Sequence, residues 1–189
     1  MSTNKRIGLV AVPAQSRGTS MLEILITILI LSVGMLGLAA LQGKAHTSEL
    51  ESYQRGQALV LLQDINSRME GNMDNAANYV TAGEGTGATD AADCTALSTR
   101  AAIDLCEWSK SLKGSSETKG GSTTKQGAMI DGRGCVAVNG TNVYLLSVVW
   151  QGLDSTAAPA TTCGQNLYDS EATRRAVTMT FRVPDLSGS

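Results

Sequence analysis

The sequence predicts an α+β fold in which one long N-terminal helix packs on a small antiparallel β-sheet. An uncharged apolar run extends from Ile24 to Leu41, and apolar residues continue at helical spacing from there to Gly71. The last third of the chain, from Gly134 onward, holds β-rich runs separated by turn residues. Helical periodicity and strand periodicity in separate parts of a chain are typical of α+β proteins. The first half of the helix is predicted to lie in a membrane and the second half to lie on the sheet.

The apolar run is long enough to cross a bilayer. It contains 18 residues, and its only polar side chains are those of Thr27 and Ser32. As an α-helix the run would be roughly 27 Å long, close to the thickness of a bilayer core. Glu23 lies directly before it, and a charged carboxylate costs about 2.5–3.5 kcal/mol at the middle of such a helix and less near its end. Glu23 is therefore the ionisable residue whose placement most requires a function.

An amphipathic second half of the helix follows the apolar run. Apolar residues recur there at helical spacing, with charged residues between them: Leu50, Tyr53, Ala58, Leu61, Ile65 and Met69. Gly71 ends this pattern, as glycine often does after a helix. The spacing predicts one helix from about Thr19 to Glu70, whose single apolar stripe packs on the sheet.

A loop, a short second helix and another loop are predicted between the long helix and the sheet. Residues 81–93 are small and polar, which predicts a loop. Apolar residues then recur at spacings of three and four, which predicts a helix with its tryptophan in the core: Leu97, Ala101, Leu105, Trp108 and Leu112. Residues 114–124 contain few hydrophobic side chains and are predicted to form an exposed, flexible loop.

Three strands are predicted in the last third of the chain. Gly134–Val138 and Asn142–Trp150 flank Asn139-Gly140, a pair that favours a tight hairpin turn. The second of these runs is apolar at nearly every position, which predicts a central strand. Arg175–Val183 alternates instead, and one of its faces is predicted to meet the long helix through Val177, Met179, Phe181 and Val183.

Four cysteines follow the apolar run, and none lies within it: Cys94, Cys106, Cys135 and Cys163. An even number of cysteines in an exported domain predicts two disulfides, for which three connectivities are possible. The pairing Cys94–Cys106 and Cys135–Cys163 is favoured. The first pair flanks one short segment, and the second joins the start of a strand to the loop after its partner strand. No Cys-x-x-Cys spacing occurs and His46 is the only histidine, so no structural zinc or other metal is expected.

The residues before the apolar run resemble the processing site of type IV prepilins: Arg17-Gly18-Thr19-Ser20-Met21-Leu22-Glu23. The resemblance implies that a prepilin peptidase removes a basic leader, residues 1–18, by cutting between Gly18 and Thr19. The new amine of Thr19 would then be methylated. Glu23 would be the family's glutamate, paired with the terminal amine of a neighbouring subunit. Most family members have phenylalanine at the position of Thr19.

The following segment is similar to the start of the PilV group of minor pilins: Leu31-Ser32-Val33-Gly34-Met35-Leu36-Gly37-Leu38-Ala39-Ala40-Leu41-Gln42. Major pilins usually have a proline where this chain has Ala40. The resemblance implies the type IV pilin fold, with residues 19–41 as a transmembrane assembly helix and 42–71 as its amphipathic continuation. Residues 72–189 would form the periplasmic or extracellular domain.

A minor pilin is expected to act in a complex that primes pilus assembly, to sit at the fibre tip, and to support twitching motility and adhesion. The partners that the resemblance implies are other minor pilins, the major pilin, the prepilin peptidase and methyltransferase, and the assembly platform of the bacterial inner membrane. No cofactor is implied.

Charge indicates the orientation of the chain and excludes one class of partner. The sequence has 15 basic and 17 acidic residues, and the leader carries Lys5, Arg6 and Arg17 but no acid. Loss of these three bases leaves 12 basic against 17 acidic groups. Positive charge before the span places that end in the cytoplasm and the rest across the inner membrane. A mildly acidic domain has no basic surface for nucleic acid.

No enzyme activity is expected from these residues. His46 lies next to the predicted span, so no Ser-His-acid arrangement can form in the distal domain. No Gly-rich phosphate loop occurs either. A solvated or interfacial side chain is the expected state of His46.

Four alternatives accompany this interpretation. A secretory signal peptide would be cut before His46, although the apolar run exceeds the usual roughly 7–15 residues. A pseudopilin of a type II secretion system shares the same N-terminal features. A pilus-tip adhesin module is compatible with pilin assembly. A single-pass membrane enzyme or sensor would keep an uncleaved anchor.

Overall fold

The computed structural model describes residues 21–114 and 129–184. Their helices and strands are α1 (Met21–Glu70), β1 (Thr81–Gly85), α2 (Arg100–Leu112), β2 (Arg133–Gly140), β3 (Val143–Gln151) and β4 (Arg174–Arg182). Short 3₁₀ helices span Met73–Tyr79 and Cys94–Ala96. The fold is therefore α+β, with a long, apolar N-terminal helix followed by a small antiparallel sheet. Gly18, Thr19 and nearly all of the predicted loop 114–124 lie outside the described residues.

Helix α1 ends at Glu70, as its periodicity predicts, and Gly71 follows it. The boundary between the two compact units of the chain falls inside this helix, between Ala45 and His46. In the second unit, one face of α1 is buried in the core of the sheet domain through Ala58, Leu62, Ile65 and Met69. Gln54 and Asn66 are also buried on this half of the helix.

The buried face of α1 is narrower than the predicted stripe. Leu50 and Tyr53, which were predicted to pack on the sheet, have 55% and 49% of their surface exposed. Each residue advances an α-helix by about 100°, so Leu50 lies roughly 80° and Tyr53 roughly 140° around the helix from Ala58. Their spacing is helical, but it follows a different face from the one that the sheet covers.

The sheet has the strand order β1-β2-β3-β4, with every neighbouring pair antiparallel. Strand β3 is central and pairs with β4 over its whole length, from Val143 opposite Arg182 to Gln151 opposite Arg174. Its central position and its burial confirm the prediction from its apolar sequence. On β4, Val177 and Phe181 are buried in the core, Met179 and Val183 pack against it, and Thr178 and Thr180 are exposed, so the predicted alternation is also confirmed.

Strand β1 corrects the prediction of a loop from residue 81 onward. Thr81–Gly85 pairs with β2, and a register shift separates its first bridge from its second. The segment has little strand propensity of its own. Helix α2 also holds the end of β1, because the amide of Gly85 donates a 2.9 Å hydrogen bond to Ser109 Oγ. The Ser109 hydroxyl in turn donates to Asp90, which also binds Lys113.

Helix α2 begins three residues later than the apolar spacing predicts. Thr99 caps it, and its hydroxyl accepts a 3.2 Å hydrogen bond from the Ala102 amide. Leu97 lies outside α2 and directly follows the 3₁₀ helix Cys94–Ala96. Trp108 is fully buried, as predicted, and its indole N–H donates to the Leu61 carbonyl at 2.8 Å.

The turn between β2 and β3 lies two residues beyond the predicted position. Asn139 and Gly140 belong to the end of β2, and the chain reverses at Thr141 and Asn142. Asn142 takes the left-handed conformation, with φ 57°, which asparagine tolerates better than most residues. The ladder passes from Val138 opposite Tyr144 to Gly140 opposite Val143, so Asn139 has no partner across the strands.

Gly134 provides the close approach between β2 and α2. A Cβ atom at this position would lie 2.1 Å from Cη2 of Trp108, well inside van der Waals contact. The indole is fully buried and its N–H is bonded to α1, so the ring has no free space into which it can move. The absence of a side chain at Gly134 is what allows Trp108 to fill the centre of the core.

We predict that Gly134→Ala destabilises the protein by about 1–3 kcal/mol, the usual cost of overpacking a core. Gly83→Ala is the matched control, because Gly83 lies on the edge strand β1 and a Cβ atom added to it would have no other atom within 4 Å. Denaturant unfolding of the two variants, followed by tryptophan fluorescence, measures the difference. Equal midpoints for Gly134→Ala and Gly83→Ala would contradict this account of the core.

Candidate functional site

The N-terminal half of α1 is the most unusual surface of the described chain. The helix is long and apolar enough to cross a membrane, and none of its most apolar 18-residue window is buried against other parts of the protein. Large side chains are exposed along its whole length, for example Leu29 at 66% and Leu36 at 71%. A continuous apolar surface of this size is typical of a segment that is covered by lipid or by the apolar helices of other protein chains.

The two hydroxyl side chains of the apolar run, Thr27 and Ser32, form their hydrogen bonds inside the helix. Thr27 Oγ1 donates to the Ile24 carbonyl at 2.8 Å, and Ser32 Oγ donates to the Ile28 carbonyl at 2.7 Å. Neither hydroxyl therefore needs water, and both are compatible with a hydrocarbon environment. A Cβ atom added to Gly34 or Gly37 would have no other atom within 4 Å, which leaves two flat, open positions on the helix surface. Small residues of this kind allow another helix to approach closely.

Glu23 lies in the first described turn of α1, two residues after Met21. Among residues 21–114 and 129–184, Glu23 makes no ion pair within 4 Å. The positions of Gly18 and Thr19 relative to it lie outside the described residues.

His46 is solvated, as the sequence predicts. Its ring Nδ1 lies 3.4 Å from Glu49, and about four-fifths of its side chain is exposed. A surface pair of this kind contributes little to stability.

Glu51 binds α1 to the segment that joins β3 to β4. Its Oε1 accepts hydrogen bonds from the Leu153 and Asp154 amides, at 3.1 and 3.2 Å, and from the guanidinium of Arg175 at 3.0 Å. Burial by itself would raise the pKa of Glu51. The Asp154 amide, the charge of Arg175 and the Leu153 amide outweigh that effect and hold the pKa below its ordinary value. Three donors on one carboxylate oxygen fix the position of this part of the helix.

A second polar cluster fixes the C-terminal end of α1 on α2. Asp104 is fully buried and accepts hydrogen bonds from Tyr79 at 2.5 Å, from Arg68 at 3.1 Å and from Arg100 at 3.1 Å. Arg68 also binds Glu107 at 2.6 Å. Burial disfavours the charged form of Arg68, but its carboxylate partners raise its pKa overall. Burial and the hydrogen bond to Asp104 raise the pKa of Tyr79.

Two disulfides cross-link the part of the chain that follows α1. They join Cys94 to Cys106 and Cys135 to Cys163, with Cα–Cα distances of 5.6 and 5.8 Å. This is the pairing that the sequence favours. The first attaches the chain before α2 to that helix, and the second attaches the long β3–β4 connection to β2.

The β3–β4 connection is organised around Arg174, whose side chain is 2% exposed. Its guanidinium donates to the carbonyls of Thr161 and Cys163, at 2.7 and 2.9 Å, and to the carboxylate of Glu171 at 2.7 Å. These bonds satisfy backbone carbonyls that a loop without regular structure would otherwise leave unpaired. The loop near the C-terminus therefore has a defined shape even though it contains no strand or helix.

The described residues offer no evident site for a metal. Within 21–114 and 129–184, no three histidine, cysteine, aspartate or glutamate side chains are arranged to hold an ion. An apolar groove among the described residues has a volume of about 610 Å³, and all the side chains that line it are uncharged, among them Thr81, Val138, Leu145 and Thr161. A smaller pocket of about 260 Å³ lies beside Glu51, Arg55 and Arg175.

Sequence reasoning favoured the cysteine pairing that the structure shows, but it missed the residues that hold α1 in place. Glu51 and Arg175 are separated by 124 positions, and neither stands out in composition or spacing. Asp104 carries a weak signal, because it is an acid on the apolar side of a short amphipathic helix. No protein-family model matches this chain, and no curated protein or solved structure matches it significantly.

We predict that Glu51→Gln lowers the free energy of unfolding by about 1 kcal/mol at neutral pH, because the charge that Arg175 and two amides stabilise is removed. The folded-state pKa of Glu51 lies below its ordinary value of 4.5. Its contribution is therefore fully present above that pH and is lost as the pH falls through the folded-state value. Thermal unfolding between neutral and strongly acidic pH should show the variant and the natural protein converging at the acidic end.

Glu49→Gln is the matched control for this measurement. Glu49 lies on the same helix two residues earlier, and three-quarters of its side chain is exposed. Its replacement should leave both the stability and its pH dependence nearly unchanged. A Glu51→Gln protein as stable as the Glu49→Gln protein would show that the contacts of Glu51 carry no net free energy.

Proposed function

We propose that this chain is a minor pilin of a type IV pilus, similar to the PilV group, which primes pilus assembly as part of a minor-pilin complex and sits at the fibre tip. In this role it supports twitching motility and adhesion. The observation that carries the proposal is the position of Glu23, in the first described turn of a helix whose apolar half has no covering within the described chain. Four residues before it, Gly18-Thr19 gives the junction at which a prepilin peptidase would cut.

The exposed half of α1 suits a subunit that passes from lipid to a protein fibre. In the inner membrane, lipid would cover the apolar side chains, and the hydroxyls of Thr27 and Ser32 are already satisfied within the helix. In a fibre, the helices of neighbouring subunits would replace the lipid. Both environments are apolar, so the exchange requires no large change in the exposure of these side chains to water.

Glu23 would supply the specific contact in that exchange. A carboxylate in an apolar environment is costly without a cation, and the mature terminus of an adjacent subunit would bring the methylated amine of Thr19. The pairing would fix the axial position of one subunit against the next. The free state of Glu23 within the described residues supports this role, because no partner from that part of its own chain occupies the carboxylate.

The domain that follows would form the exposed part of the subunit. Two disulfides support its location outside the cytoplasm, where oxidised cysteines persist. The contacts of Glu51 and Asp104 would hold α1 on the sheet while its apolar half changes surroundings. The partners in this proposal are other minor pilins, the major pilin, the prepilin peptidase and methyltransferase, and the inner-membrane assembly platform.

Cleavage between Gly18 and Thr19 is the first step that the proposed function predicts. Protein recovered from its native membranes should begin at Thr19 with a methylated amine, as measured by intact mass and N-terminal sequencing. Gly18→Val should block the cut and leave the full-length chain in the membrane, because a branched side chain obstructs the approach of the peptidase to the backbone. Gly8→Val, the same change within the leader but away from the junction, should be processed normally. A start at His46 would mean a cleaved signal peptide and would remove the basis for the role of Glu23.

Incorporation of the subunit into pili is the second step that the proposed function predicts. Glu23→Ala should leave export and cleavage intact but reduce incorporation into pili and the number of pili severalfold, because the subunit can no longer pair with a neighbouring amine. Immunoblots of sheared pili and of membranes measure the two stages separately, with Glu49→Gln as the control. Normal piliation in the Glu23→Ala strain would overturn the pairing role. Loss of protein secretion with normal twitching would assign the chain to a type II secretion pseudopilus instead.

A further inference from the structure

The tip of the β2–β3 hairpin carries a chemically reactive pair of residues. Asn139 is followed by Gly140, and this is the only Asn-Gly pair in the sequence. Both residues are exposed. The side-chain carbonyl carbon of an asparagine can be attacked by the backbone nitrogen of the next residue, and glycine hinders that attack least because it has no side chain.

Asn139 lies at an irregularity in the pairing between β2 and β3. Val138 pairs with Tyr144 and Gly140 pairs with Val143, so Asn139 is an extra residue with no partner across the strands. Gly140 has φ +148°, a conformation that residues with side chains rarely adopt. A bulge next to a turn is less constrained than a paired strand, and its residues can reorient without breaking the core.

We propose that Asn139 is a site of spontaneous modification, where the Gly140 nitrogen closes a succinimide ring and the ring then opens to aspartate or isoaspartate. The Gly140 nitrogen loses its proton and forms a bond to Cγ of Asn139. The Cγ–Nδ2 bond breaks, and the side-chain nitrogen leaves as ammonia. Water then adds to one of the two ring carbonyls, and the ring C–N bond on that side breaks. Opening at one carbonyl gives aspartate, and opening at the other gives isoaspartate.

The reaction needs no enzyme and no reagent other than water, and it involves no change of oxidation state. The net change is the loss of one ammonia and the gain of one water. The product carries a negative charge where Asn139 was neutral, and in the isoaspartyl form the main chain gains one carbon. Because the ladder already skips Asn139, that extra carbon can be accommodated at the bulge.

Several other asparagines among the described residues are protected in ways that Asn139 is not. Asn66 and Asn72 donate through their side-chain amides, to Glu70 at 2.7 Å and to Tyr79 at 3.2 Å. Asn142 is followed by Val143, whose branched side chain shields the attacking nitrogen. Asp131-Gly132 has the same spacing with a carboxylate, but Asp131 is paired with Arg133 at 3.1 Å and Gly132 is buried.

The experiment follows the full chain in detergent micelles during incubation at 37 °C in ¹⁸O-labelled water, at neutral and at mildly alkaline pH. Peptide mapping by mass spectrometry locates each converted residue, and enzymatic methylation of isoaspartate counts the rearranged product. The peptide that contains Asn139 should gain about 3 Da in labelled water, and about 1 Da in ordinary water. Asn139 should convert at least about tenfold faster than Asn78 or Asn142, because only Asn139 precedes a glycine.

Two variants make the test specific to ring closure. Asn139→Gln keeps the amide but lengthens the side chain by one methylene, so the five-membered ring can no longer form and the conversion should disappear. Asn78→Gln, at an exposed site followed by Tyr79, should leave the rate at Asn139 unchanged. The rate should also rise with pH, because the attacking nitrogen must lose its proton.

Three results would overturn the proposal. The first is an Asn139 that stays intact in the folded chain, or converts no faster than Asn78. The second is a rate that does not depend on pH. The third is a glycan on Asn139 in protein from native membranes, which the sequence Asn139-Gly140-Thr141 would permit and which would block the leaving nitrogen. The inference depends only on the hairpin and stands apart from the proposed function.

Discussion

The structure depends on one continuous helix whose first part is exposed and whose second part is buried on one face by the sheet domain. Helix α1 forms its backbone hydrogen bonds internally, so the same backbone geometry is compatible with lipid and with water. The side chains of the two parts of α1 differ in how far they are buried. Before Ala45 the side chains have no other part of the described chain to pack on, whereas after His46 one face is buried in the core of the sheet domain. Helix α2 and strands β2, β3 and β4 supply most of the other buried side chains of that core.

Charged groups hold the helix where apolar contact is incomplete. Leu50 and Tyr53 face away from the sheet, and the contact at this level comes from Glu51 with Arg175 and two loop amides. At the other end, buried Asp104 collects donors from three different parts of the chain. Directional bonds of this kind set the rotation of the helix, which nonspecific burial of apolar area leaves open.

Periodicity allowed most of the fold to be predicted, and its failures have physical causes. The end of α1, the position of β3 and the alternation of β4 follow from local patterns of apolar residues. Strand β1 has no such pattern and exists because β2 and α2 offer partners to its backbone. The hairpin turn lies two residues later than predicted because Asn142 also tolerates a left-handed backbone. Of the candidate site, Glu23 stays a prediction from its place beside an apolar run. The contact of Glu51 with Arg175 joins residues 124 positions apart and has no local signature in the sequence.

The two disulfides have a mechanical consequence, because both lie entirely after α1. They close segments of 12 and 28 residues, and neither includes any part of the helix. A load carried along α1 would therefore reach the sheet through the non-covalent contacts of the helix and through the backbone that continues from Gly71, with no disulfide to share it. The position of the helix on the sheet thus depends on packing and hydrogen bonds, whereas two later segments of the domain are also fixed by covalent cross-links.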